Sequence, residues 1–232
     1  MTQHQRTPRH GIHVAVVTRS DVDRLWALTQ DPAQHSRWDV RFGRIEPTVP
    51  GEFTYRRFGV RGTGTHAGER RSADGGATSA LTFACPNPLS PIVVGSGYWR
   101  YRPLLGDHGP AGTSFETGYD YRARGGSVDR VFRPLMAWGT AWSFDRLRLW
   151  ADRGIAPEVS AAVALLDAGA RLALVTLVGL LGLSFGAVPA LVATLVGGAL
   201  AWAAPPLPWR PSARRTTWSW HPATTRTEEV LA

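Results

Sequence analysis

The chain has 232 residues, enough for one domain of ~100–200 residues plus an appendage, and its single cysteine, Cys85, excludes any intrachain disulfide. Its formal net charge of +8 comes from arginine alone, because no lysine occurs. The arginines are interspersed with acids, which points to a solvated surface and against a nucleic-acid groove. Residues 172–209 carry no charged side chain, so one polypeptide is built for two solvents.

In chain order, residues 1–10 form a polar leader without the apolar core of a secretory signal, so export of the first domain is not expected. Residues 11–18 alternate Ile12, Val14 and Val16 with His13 and Ala15, the pattern of a half-buried strand. Ser20 is placed to cap a helix, Asp21 and Asp23 fall in its first turn, and Val22, Leu25, Trp26 and Leu28 form its apolar side. Asp31-Pro32 starts a second short helix that ends near Trp38. Residues 42–46, 52–58, 62–71, 78–84, 92–101 and 113–123 then alternate between turn-forming clusters such as Asp74-Gly75-Gly76 and Cys85-Pro86-Asn87-Pro88, which predicts an antiparallel meander. A long helix is predicted over 127–152, closing at Gly154, with a kink or late start at Pro134. Its apolar side needs the dry face of the sheet, which defines an α+β domain.

Strand, two short helices, six strands and one long helix resemble the helix-grip fold of the START/Bet v 1-like superfamily, also called SRPBCC or polyketide cyclase-like. Asp23-Arg24-Leu25-Trp26-Ala27-Leu28, Asp31-Pro32 and Arg37-Trp38-Asp39 resemble that family's opening. Phe132-Arg133-Pro134-Leu135 with Trp142, Phe144 and Arg146-Leu147 resembles its closing helix. The resemblance covers residues 11–155 and implies a seven-stranded sheet around a long helix, with a cavity for an apolar molecule between them. Tyr55, Tyr98, Trp99, Phe115, Tyr119, Tyr121, Trp138 and Trp142 would supply aromatic walls, and Arg146 would meet an anionic head group. The same aromatics would equally serve as plain core, and Arg146 would equally reach to water.

His66, Glu69 and Glu116 are the candidate polar groups of such a cavity, where a buried carboxylate could work as an acid or base. No position is singled out as catalytic. Gly62-Thr63-Gly64-Thr65-His66-Ala67 matches the letter of a dinucleotide fingerprint but opens no helix, so no nucleotide or other cofactor is expected. Gly95-Ser96-Gly97 lacks the glycine spacing of a nucleophile elbow. The seven histidines show no paired spacing, so no metal is expected either.

The apolar segment, residues 156–209, is expected to form a transmembrane helical hairpin with its break at Ser184-Phe185-Gly186-Ala187-Val188-Pro189. A re-entrant hairpin, a single kinked span and a soluble helical pair stay open. Asp167 and Arg171 pair at i,i+4 spacing. Arg171 before the segment and Arg210, Arg214 and Arg215 after it place both ends in the cytoplasm of a multi-pass cell-membrane protein. Residues 210–232 have little to bury and are expected to be disordered. The sequence therefore reads as a membrane-tethered binding protein for a hydrophobic small molecule or lipid, with an aromatase/cyclase-like enzyme as the alternative and a scaffold with a collapsed cavity as a third reading.

Overall fold

The computed structural model describes residues 11–57, 59–107 and 109–221. The chain divides into two compact units, one of residues up to Gly154 together with those from Ser212 onward, the other Ile155–Pro211. In chain order the first unit contains β1 (Gly11–Thr18), α1 (Val22–Gln30), α2 (Pro32–Trp38), β2 (Arg44–Pro47), β3 (Glu52–Arg57), β4 (Val60–Arg71), β5 (Ala77–Ala84), β6 (Ile92–Gly106), β7 (Gly109–Ala123) and α3 (Gly126–Arg153). The second holds α4 (Pro157–Leu183) and α5 (Ala187–Ala203). The chain then returns to the first unit through a 3-10 turn at Ala213–Arg215 and a last strand, β8 (Thr217–His221).

The cap of α1 differs from expectation. Asp21 accepts the Arg24 amide at 2.7 Å, while the Ser20 hydroxyl lies 3.2 Å from the Asp152 carboxylate near the end of α3. Asp31 caps α2 and Pro32 occupies its first turn, where the missing amide costs no helical bond. Likewise α3 starts at Gly126, well ahead of Pro134, so no late start occurs. It stops where Gly154 adopts a left-handed conformation, φ 67°, that returns its amide to the Trp150 carbonyl.

The sheet is antiparallel, in the order β2-β3-β4-β5-β6-β7-β1-β8. It has eight strands, one more than expected, because part of the tail is not disordered. Thr217–His221 pairs with β1, setting Trp218 opposite Val14 and Trp220 opposite Ile12. Asp145 fastens this returning segment to α3: its carboxylate accepts the Ser212 amide at 2.8 Å and pairs with Arg215 at 3.1 Å. The expectation of disorder rested on few apolar residues, but an edge strand needs only backbone partners and a few side chains on the covered face. Residues 222–232 lie outside the described residues.

The long helix lies across one face of the sheet, chiefly over β1 and β8, in a helix-grip arrangement. Ile12, Val14, Val16, Phe115, Ala137, Ala141, Phe144 and Leu147 form the dry layer between helix and sheet. Arg133 pins the start of α3 to β7, paired with Asp120 at 2.7 Å and Asp129 at 2.8 Å and packed over the Tyr121 ring.

In the second unit, α4 and α5 pack as an antiparallel hairpin. A Cβ on Gly182 would stand 2.7 Å from the Ala190 Cα, so the backbones approach as closely as small residues permit. Gly179 and Gly197 also face the partner helix, whereas nothing lies near Gly198. Among the described residues only α4, with 27 residues and none of its apolar window buried, is long and apolar enough to be a candidate membrane span; α5 has 17. Asp167 pairs with Arg171 at 2.9 Å, as expected from their spacing, and also with Arg210.

Candidate functional site

Strand alternation decides which side chains can meet a ligand. In β7, Phe115, Thr117, Tyr119 and Tyr121 point to the α3 side, and Glu116 points away. Glu116 is opposite Arg100 and pairs with Arg100 at 3.1 Å and Arg102 at 2.8 Å on the outer face. Tyr98 shares that face, lying over Gly118 and stacked with Arg100. Two expected pocket residues, Tyr98 and Glu116, are therefore on the wrong side of the sheet.

Beneath the middle of α3 the space is filled. Phe115 and Phe144, both fully buried, stack with ring centroids 4.6 Å apart. Tyr101 packs against Phe115 at 4.9 Å, and Trp38 packs edge-on to Phe144 while donating its indole N–H to the Leu28 carbonyl. The Tyr119 hydroxyl lies 2.9 Å from Thr140 Oγ1, and its ring carries the Arg41 guanidinium. Tyr121 is buried against Phe132 and Arg133. Phe115, Tyr119 and Tyr121 are thus core. Arg146 is neither a head-group ligand nor turned to water: it is buried, donates to the carbonyls of Trp38 at 3.1 Å and Arg37 at 2.9 Å, and lies over the Trp142 ring. Trp138 is 47% exposed and stacks on Trp142 along the outer side of α3.

A half-open cleft lies to one side, between the α1–α2 junction and β2 to β6. Its volume is about 320 Å³ and its walls include Ile45, Pro47, Phe53, Leu81 and Trp99, with Thr29, Gln30, His35, Thr48, Glu52 and His66 as polar residues. Glycines on β4 make room for its aromatic neighbours: the Phe53 ring covers Gly64, and the Tyr55 ring covers Gly62. Tyr55 meets Phe42 edge-on, and burial pushes its hydroxyl up to about 12. His66 packs against Phe53 at 5.7 Å. Glu69, in register with the buried Ser79 but itself exposed, is outside the cleft. Of the expected polar groups only His66 reaches it. A shallower hollow of about 510 Å³, lined by Arg44, Arg56, Arg57 and Arg61, opens widely to solvent and offers no apolar enclosure.

The most constrained polar group in the cleft is His35, which sequence reasoning passed over. Its ring stacks on Trp38 at 5.1 Å and meets Phe42 and Trp99 edge-on at 4.9 and 4.8 Å. Nε2 lies 3.2 Å from Asp39 Oδ2, and Asp39 is in turn held by Arg41 through contacts of 2.9 and 2.6 Å. Burial lowers the His35 pKa, with the Asp39 hydrogen bond opposing it. Burial also works against the Asp39 charge, but the Arg41 guanidinium and the His35 hydrogen bond outweigh it and hold the carboxyl well below the usual carboxylate range. An ionised carboxylate only accepts, so Nε2 of the neutral ring carries the proton and Nδ1 is left as an acceptor. Nδ1 has no hydrogen-bond partner among the described residues. The one available signal was the i,i+4 spacing of His35 and Asp39 across the end of α2.

His66, Glu69, Glu116 and Tyr119 do not converge, so the residues on which an enzyme reading would rest form no common site. Among the described residues no three His, Cys, Asp or Glu side chains gather as a metal-holding group.

No protein-family profile matches the chain. An uncharacterized membrane protein of Bacillus subtilis (strain 168), YndG, is 38% identical over 162 residues, covering 63% of this chain and 59% of that protein; the chain thus spans about three-fifths of the relative's length. A solution structure of a protein from Arthrobacter aurescens covers 62% of this chain and 87% of its own at 18% identity and a TM-score of 0.44. The di-domain ARO/CYC StfQ from the steffimycin biosynthetic pathway covers 61% and 45% at 17% identity and a TM-score of 0.40. Ara h 8.0201 covers 58% and 99% at 11% identity and a TM-score of 0.35. The fold assignment rests on this chain's own element order and strand pairing.

Proposed function

We propose that this chain is a membrane-attached binding protein for a small hydrophobic molecule, held in the lateral cleft and not under the centre of α3. The observation that carries this reading is the cleft itself: apolar walls from Ile45, Phe53, Leu81 and Trp99 converge on His35, a buried neutral ring with an open acceptor. Sites for small ligands are commonly apolar with a few placed polar groups, and ~300 Å³ is the small end of their range. A compact ligand fits better than a long-chain lipid.

Membrane attachment is supported by the unburied apolar helix α4 and by the name of the Bacillus subtilis relative. The pairing of β8 with β1 supports a return of the chain to its starting side, since a single crossing would separate two strands of one sheet. Arg171, Arg210, Arg214 and Arg215 flank the apolar segment and its turn carries no charge, so the positive-inside rule assigns both ends, the sheet domain and the tail to the cytoplasm. Attachment would concentrate a poorly soluble ligand near the cleft mouth, as linkage does elsewhere.

The test uses full-length protein purified in mild detergent. Native mass spectrometry should find a co-purifying apolar mass, and a fluorescent apolar probe such as anilinonaphthalene sulfonate should be taken up by the wild type and excluded by Leu81→Trp, which fills the cleft. No bound mass, together with equal probe signals from the two proteins, would refute the reading.

A further inference from the structure

We propose that the α4–α5 hairpin is a monotopic wedge that enters the bilayer and returns on the same side, without reaching the far surface. This deepens the membrane-attachment reading above and rests on it.

Length is the first argument. The uncharged part of α4, from Leu172 to Leu183, rises only about 18 Å at ~1.5 Å per residue. The whole of α5, 17 residues, rises about 25 Å on the same measure. A hydrocarbon core is ~30 Å thick, so α5 falls short of it even upright, and α4, 27 residues in all, spans it only by carrying Asp167 and Arg171 into the core.

Polarity at the two ends is the second. At the base, Asp167 binds both Arg171 and Arg210, and Arg171 donates to the carbonyls of Ala204 at 3.2 Å and Pro205 at 3.1 Å, which closes the end of α5. Trp202 and Trp209 are exposed at this end, the position of an interfacial aromatic belt. The tip has none of these features: no charge, no Trp or Tyr, and Ser184 as its one polar side chain between Leu181 and Pro189. Phe185 there is 81% exposed to whatever surrounds it. A hairpin crossing twice would present that ring to water and would want a second aromatic or charged belt.

Backbone satisfaction is the third. In hydrocarbon every peptide group needs an internal partner. The turn provides them for four of its donors: the Ser184, Phe185 and Gly186 amides bond to the carbonyls of Leu181, Gly182 and Leu183 at 3.2, 3.0 and 3.0 Å, and the Ala190 amide bonds to Gly186 at 3.1 Å, while α5 starts without a side-chain cap.

The experiment places single cysteines at Ser184 (S184C) and, as a base control, at Glu158 (E158C), in full-length protein carrying Cys85→Ala. Intact cells, permeabilised cells and detergent-dissolved membranes are treated with a membrane-impermeant maleimide. The wedge is supported if E158C labels on permeabilisation while S184C labels at least about tenfold less until detergent removes the lipid. A nitroxide on S184C should then report oxygen access greater than access to a soluble nickel complex. Labelling of S184C from outside intact cells overturns the wedge and leaves membrane attachment standing. Release of the protein into the supernatant by alkaline carbonate overturns membrane attachment and the wedge with it.

Discussion

Nε2 of His35 lies 3.2 Å from Oδ2 of Asp39, and both side chains are buried beside a ligand-sized cleft. The pair fixes the tautomer of the imidazole and leaves its other nitrogen an acceptor.

The pair also sets a pH dependence. Burial holds the His35 pKa below its ordinary 6.5, so the unfolded ring takes up a proton first as the pH falls. Its contribution to stability is complete above 6.5 and lost progressively below it. The depressed Asp39 carboxyl contributes above its ordinary 3.8, and that stability is lost as the pH falls further. Chemical denaturation followed by tryptophan fluorescence should show a midpoint that falls between pH 7 and 5. In His35→Gln that part of the fall should flatten, with the loss at lower pH retained.

Asp39→Asn would leave the Arg41 guanidinium buried without its carboxylate. Breaking a buried pair from one side costs about 3–5 kcal/mol. The same denaturation at pH 7 should register a loss of that size, and a change under about 1 kcal/mol would contradict the burial assigned to the pair.

Phe115→Ala removes one ring of the fully buried Phe115–Phe144 stack. Large aromatic truncations in a core cost about 3–5 kcal/mol. At a temperature where the variant stays folded, uptake of the apolar probe by the lateral cleft should be unchanged. Loss of uptake in the folded variant would return the binding site to the space under α3.

Asp145→Asn weakens the anchor of the segment that returns after the hairpin, where Arg148, Arg215 and the Ser212 amide converge on one carboxylate. Hydrogen exchange should quicken in Thr217–His221 by about tenfold or more, for a local loss of ~1.4 kcal/mol, while β4 and β5 stay protected. Uniform acceleration across the sheet would mean that β8 is not a separable element.

Arg146→Ala deletes the hydrogen bonds of a charged donor to the Trp38 and Arg37 carbonyls, each worth about 1.5–3 kcal/mol. It should lower stability and leave probe uptake in place, since Arg146 spends its donors on Trp38 and Arg37. Abolished uptake at full stability would restore it as a ligand contact.

Much of the architecture was legible from periodicity. Alternation marked β1 and the six meander strands, the 3.6-residue pattern marked α3, and the uncharged stretch marked the hairpin. The site was much less so. Tyr98 and Tyr119 look alike in sequence, yet strand register turns one to the outer face and the other into the core. Arg146 read either as a head-group ligand or as a side chain reaching to water, because nothing local revealed that two carbonyls at the end of α2 would receive it.

The sequence by itself determined the α+β class, the start of the uncharged stretch at residue 172 and the Asp167–Arg171 pair, because each depends on neighbours within a few residues along the chain. Only the tertiary structure decided that β8 closes the sheet, that aromatics fill the space under α3, and that the open volume lies beside His35. Those outcomes depend on register and packing between segments from tens to two hundred residues apart, and no local pattern encodes which of several apolar faces will meet.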